Sequence, residues 1–193
     1  MPAYAIPKIE WKNQSLTATR TGGSNTLTSV TTTNIEVGML IEGTGIPSGT
    51  TVLSKTVSTV VMSANAISPG TSSLSFLYRI EFEFPPIEKD GEQIDSKERQ
   101  SVSISGKVQT SIDFIEAKRS LNFSFLSQAL YESLKNFFVT HGYAGRTFLY
   151  YEDKTLGASV EYELSDLKFS PTKIVPKGFD YVWAVVLKMR RVF

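Results

Sequence analysis

From Tyr78 to Phe84 the chain alternates, with Tyr78, Ile80, Phe82 and Phe84 separated by Arg79, Glu81 and Glu83. A period of two is that of a β-strand with one covered face. Ala5 to Trp11 reads as another strand, and Pro85-Pro86 ends the first because proline donates no hydrogen bond to a ladder. Further β-type stretches run from Ser101 to Ser105 and from Val108 to Phe125. Val102, Ile104, Val108, Ile112, Phe114, Leu121, Phe123 and Phe125 are the core candidates there, with turns expected at Gly106 and at Lys118-Arg119-Ser120.

The period then changes. Leu126, Leu130, Leu134, Phe137 and Phe138 share one helical face, so a helix is predicted over about 126–141, N-capped by Ser124 or Ser127 and closed at His141-Gly142. Three strands follow: Arg146 to Tyr151, Ser159 to Phe169 and Phe179 to Val192. In the last, Tyr181, Trp183, Val185, Leu187 and Met189 share one face, and Val182, Ala184, Val186, Lys188, Arg190 and Val192 the other. Both faces are largely apolar until the end. Such a strand is either central to a sandwich or part of a subunit interface.

Charge divides the chain. Residues 16–77 hold four charged residues, Arg20, Glu36, Glu42 and Lys55, against 35 in the other 131 positions. The same stretch carries 24 Ser or Thr, yet its short runs Val37–Gly43, Thr50–Leu53, Val57–Met62 and Ser73–Phe76 favour strands, unlike a disordered linker. Gly43-Thr44-Gly45-Ile46-Pro47-Ser48-Gly49 and Ser68-Pro69-Gly70-Thr71 are turns: glycine accepts positive φ and proline fixes φ. A compact all-β module is expected over 16–77. It is either inserted into a hairpin of a domain made of 1–15 and 78–193, or is an N-terminal domain followed by a second one.

Candidate chemistry is sparse. The glycines of 43–49 lack the Gly-Lys-Ser/Thr ending and following helix of a phosphate loop. Asp90, Glu92 and Asp95, within the polar run 88–99 that reads as an exposed loop, do not have calcium-loop spacing. His141 is the one imidazole and sits where a helix C-terminus favours it, without the turn a catalytic serine needs. Glu161, Glu163 and Asp166 lie on one strand, where Glu161 and Glu163 share the face of Ser159 and Ser165, opposite Val160, Tyr162 and Leu164, as an exposed face does. No enzyme, metal or cofactor is expected. A net charge of +1 gives no field for nucleic acid, no stretch reaches the length of a membrane span, and without cysteine no disulfide contributes. The segment Met1 to Pro7 has neither the basic start nor the apolar core of an export signal.

Two stretches carry a resemblance. Val37-Gly38-Met39-Leu40-Ile41-Glu42-Gly43-Thr44-Gly45-Ile46-Pro47-Ser48-Gly49-Thr50-Thr51-Val52, with Val60–Ser63 and Leu74–Phe76 after it, resembles a β-module inserted in or appended to phage structural proteins. The remainder, with its alternating strands, single helix ending at His141-Gly142 and Gly145–Tyr151 strand, resembles distal-tail and minor tail proteins of long-tailed phages in layout. The resemblance implies a mainly β fold, a β-sandwich with one α-helix plus the inserted module. It also implies a virion protein, assembled in the host cytoplasm, that forms a ring, commonly a hexamer, between tail tube and tip or hub. A tube, minor tail or terminator protein is the alternative, as is host-glycan binding by the module, although Phe76 is the one aromatic residue in 16–77. Candidate assembly contacts are Val182, Trp183, Val186, Lys188 and Arg190 on the last strand, and Asp90 and Glu92 in the polar run.

Overall fold

The computed structural model describes residues 5–88, 92–102, 105, 108–142, 145–155, 157–166, 169–174 and 182–193. They are mainly β, with thirteen strands and one helix among the described residues. The chain divides into two compact units: one comprises Met1–Ile9 and Ile80–Phe193, the other Glu10–Arg79. The second unit begins six residues before the low-charge stretch 16–77 and ends two residues after it.

Glu10–Arg79 contains most of β1 (Lys8–Arg20), then β2 (Thr26–Thr28), β3 (Leu40–Glu42), β4 (Val52–Lys55), β5 (Val60–Met62) and most of β6 (Gly70–Glu81). The strands are short because Gly and Pro turns interrupt them. Hydrogen bonding runs β4-β5-β2-β1-β6-β3, and β3 returns to the start of β4 through the Leu40–Thr51 bridge and the Val52 N–H on Met39 O at 2.9 Å. The ladder therefore closes on itself, which leaves no open sheet edge. Inside it lie Ala18, Leu27, Val30, Ile35, Met39, Ile41, Val52, Val60, Met62, Leu74 and Phe76, all buried. Gly43, at φ 152°, crosses beside Leu74 where a Cβ would collide with its side chain, so the turn needs glycine there. Where the chain enters and leaves this unit, the Arg79 guanidinium lies 2.6 Å from buried Glu10 and 2.5 Å from Glu42.

The other unit is an antiparallel sheet ordered β10 (Phe148–Tyr151), β11 (Val160–Leu164), β13 (Val182–Arg191), β9 (Val108–Leu126) and β7 (Ile87–Glu88). β8 (Gln93–Val102) also pairs with β9, and β12 (Thr172–Ile174) with β13. Leu121, Phe123, Val185, Leu187 and Met189 form the covered face, with Phe82 stacked on Phe123 at 3.9 Å between centroids. Helix α1 (Gln128–Thr140) buries Leu134, Phe137 and Phe138, and Phe137 meets Phe148 edge-on at 5.2 Å. Ser127 is the N-cap, accepting from the Leu130 N–H. His141 is the C-cap, its backbone N–H donating to Phe137 O, and its buried imidazole, with Nε2 2.7 Å from Thr147 O, ties the helix end to the approach to β10.

Three expectations differ from the structure. Residues 93–99 of the expected polar loop belong to strand β8, polar because it is an edge strand with β9 as its partner, which gives no alternation of apolar residues to read. Lys118, Arg119 and Ser120 are no turn: they pair with Arg190, Met189 and Lys188 inside the sheet. Phe125 is not core but 60% exposed with φ 63°, because Ser124 and Phe125 together oppose one residue of β13 and this bulge reverses the facing of Phe125. Leu126 takes the buried place. The turn expected at Gly106 and the last-strand residue Tyr181 lie outside the described residues.

Candidate assembly surface

β13 is the central strand of its sheet, and its two faces differ. Val185, Leu187 and Met189 are buried, whereas Val186 is 45% exposed and Lys188 and Arg190 point to solvent. The second apolar face expected from the sequence is therefore open along Val186. In register with it lie Asn122 on β9 and then Ile87 on β7, also exposed. Asn122 Oδ1 is buried there without a hydrogen-bond donor. An acceptor in that state costs on the order of 1–3 kcal/mol.

Trp183 lies half-buried over the helix. Its ring stacks on Tyr131 at 4.1 Å, Tyr131 stacks on Phe169 at 6.0 Å, and the indole N–H donates to Gln128 Oε1 at 2.7 Å. Its first task is to hold α1 on the sheet. Val182 opens β13 opposite Ile174.

Lys188 and Arg190 join a ladder of alternating charge on the outer face. Lys188 Nζ lies 3.0 Å from Asp166. Arg190 pairs with Glu163, its direct cross-strand neighbour, and reaches Glu116 at 3.5 Å. Glu116 in turn meets Lys118 at 2.9 Å, and Lys118 meets Asp95 at 3.5 Å. The hydrogen bond from Lys118, reinforced by Arg190, holds the Glu116 carboxyl below the usual carboxylate range; Glu163 pushes the Arg190 guanidinium up. Exposed pairs of this kind are screened by solvent and each adds little, and the ladder follows the register of four strands.

Glu92 is exposed and accepts from the Tyr162 hydroxyl at 3.2 Å. Asp90 lies outside the described residues. Glu161 is exposed, Glu163 and Asp166 are engaged with Arg190 and Lys188, and Asp95 lies beside Lys118. Among the described residues no three His, Cys, Asp or Glu side chains are gathered to hold a metal ion.

The most extended feature was absent from the expected contacts. β13 accompanies β9 only as far as Lys118, and β7 pairs it at 121–122. Residues 108–117 of β9 therefore have β8 as their one strand partner among the described residues, in a register running from Ile94↔Ala117 to Val102↔Val108. Ten residues at 3.3 Å each make a two-stranded ribbon roughly 30 Å long. The sequence signal is the run Val108 to Leu126, free of Gly and Pro, which supports one continuous nineteen-residue strand. A second overlooked feature is Phe125, a bulky side chain in left-handed backbone directed into solvent. No family model matches the chain, nor does any characterised protein or solved structure.

Proposed function

We propose that this chain is a structural virion subunit of the distal-tail type, forming a ring that joins a phage tail tube to the tail tip or hub. The β8–β9 ribbon carries the reading. Two strands alone are marginal in water, because they bury little and leave both outer edges unpaired. A ribbon of this length gains its stability when a neighbouring subunit pairs with it or covers it. Heterologous contacts of that kind repeat around a rotation axis and close into a ring. Ile87 and Val186, on either side of Asn122, and the protruding Phe125 supply apolar area on the same unit. The mainly β fold with one helix supports the resemblance in layout to distal-tail proteins, and Glu10–Arg79 takes the place of the added module. In this reading the protein acts in the virion tail after assembly in the host cytoplasm, and its partners are further copies of itself, the tube and the tip proteins.

Ser96 and Ile115 are register partners, so residues 97–114 can be replaced by an Asn-Gly turn that closes a shorter hairpin. Mass photometry of the full chain is expected to show one closed oligomer, and the shortened chain a monomer with unchanged circular dichroism per strand residue. A full-length chain that stays monomeric at micromolar concentration, or a shortened one that assembles equally well, refutes the reading.

A further inference from the structure

Glu10–Arg79 contains four cations, Lys12, Arg20, Lys55 and Arg79, and three carboxylates, Glu10, Glu36 and Glu42. All three carboxylates are engaged by other cations. Glu10 and Glu42 meet Arg79, and Glu36 holds Lys12 at 2.7 Å. Arg20 lies ten residues beyond Glu10, roughly 30 Å along β1 at the rise of a strand. It is only 6% exposed, and no carboxylate reaches it.

Its surroundings are built around the guanidinium. Nε donates to Ser68 O at 3.1 Å and Nη1 to Ser72 Oγ at 2.6 Å. A Cβ at Gly45 would stand 2.6 Å from Nε, and one at Gly70 would stand 3.3 Å from Nη2, so two turns approach the planar group as bare backbone. Guanidinium offers five N–H groups. The three that remain, one on Nη1 and both on Nη2, meet no acceptor among the described residues. Nη2 is not sealed from solvent, so these N–H groups face water and are open to an incoming acceptor.

We propose that Arg20 is the centre of an oxyanion-binding site at the turn cluster of this unit. The site takes a carboxylate in the two-point manner that the Nη1 and Nη2 fork matches. The Ser72 hydroxyl stands beside it, whereas Thr19 and Thr71, 2.9 Å apart, lie on the opposite face of the sheet. The site is independent of the ring proposed above.

The test is a titration of the full chain with sodium acetate, and in separate arms with sodium sulfate and with neutral glucose, at ionic strength held constant by sodium chloride. Backbone amide shifts are read by NMR. Saturable acetate shifts at Gly45, Gly70 and Ser72, about tenfold weaker in Arg20→Lys, support the site. Equal saturation by sulfate also supports it and widens the ligand to any oxyanion. Shifts that rise linearly, that map to Lys12 and Arg79, that glucose reproduces, or that persist unchanged in Arg20→Lys overturn it. If Arg20→Lys does not fold, the wild-type map decides alone: no saturable shift at those three amides overturns the proposal.

Discussion

Ile41→Val removes one methylene from the middle of the closed ladder. Ile41 is 1% exposed and lies directly opposite Phe76, itself fully buried. The lost transfer free energy is about 0.8 kcal/mol. A residual void of about 20 Å³ at 24 cal/mol per Å³ adds about 0.5 kcal/mol, for a total of about 1.3 kcal/mol. With a urea slope of about 1.3 kcal/mol per M, suited to a unit of this size, the midpoint falls by roughly 1 M. The chain's two tryptophans report separately, since Trp11 lies in Glu10–Arg79, stacked on Tyr78 at 5.3 Å, and Trp183 lies in the other unit on Tyr131. Trp183→Phe and Trp11→Phe backgrounds therefore isolate each transition by fluorescence. Ile41→Val is expected to lower the Trp11 midpoint by roughly 1 M and to move the Trp183 midpoint by less than about 0.2 M. If both midpoints fall together, the two units do not have independent cores and the reasoning is wrong; if neither moves, Ile41 is not packed as described.

Phe125→Gly relieves a side chain held at φ 63° and should raise the thermal midpoint of the isolated chain, by about 1 kcal/mol in stability, while weakening self-association; a lowered midpoint would mean the ring packs within its own chain. Lys12 holds the Glu36 carboxyl below its ordinary range. That contribution is present above the unfolded value of about 4.3 and is lost as pH falls through the lower folded value. Lys12→Met should therefore return the Glu36 midpoint, followed by carboxyl carbon NMR, toward the ordinary value and flatten the decline of stability in acid. An unchanged midpoint would contradict the ion pair.

Much of the fold was legible where covered and open faces alternate. Val185, Leu187 and Met189 announce the buried face of β13, and Leu134, Phe137 and Phe138 the helix, because burial of one side imposes a period. β8 was hidden for the converse reason: an edge strand of Gln, Asp, Ser, Lys, Glu and Arg satisfies its backbone through β9 and needs no apolar face. Phe125 misled because a bulge shifts facing by one residue, and no residue type at Ser124-Phe125 marks it; glycine would have. Of the candidate site, Lys188 and Arg190 were found as cations, but their carboxylates come from Asp166, Glu163 and Glu116, neighbours that only strand register brings together. Arg20 looked like one charge among four in a Thr-rich stretch. Its isolation became visible once Glu10, Glu36 and Glu42 were placed.

The ion pair between Glu10 and Arg79 joins residues 69 positions apart, and its consequence is kinetic. Closing a flexible loop of that length costs about 4 kcal/mol of chain entropy. Once Glu10–Arg79 has folded, the loop is already closed, and Ile9 and Ile80 are delivered to the other unit as if a tight turn joined them. If the small unit folds first, it is expected to act as a nucleus for the larger one. Variants that slow its folding should delay the Trp183 refolding phase, even where they leave the equilibrium midpoint of that phase untouched.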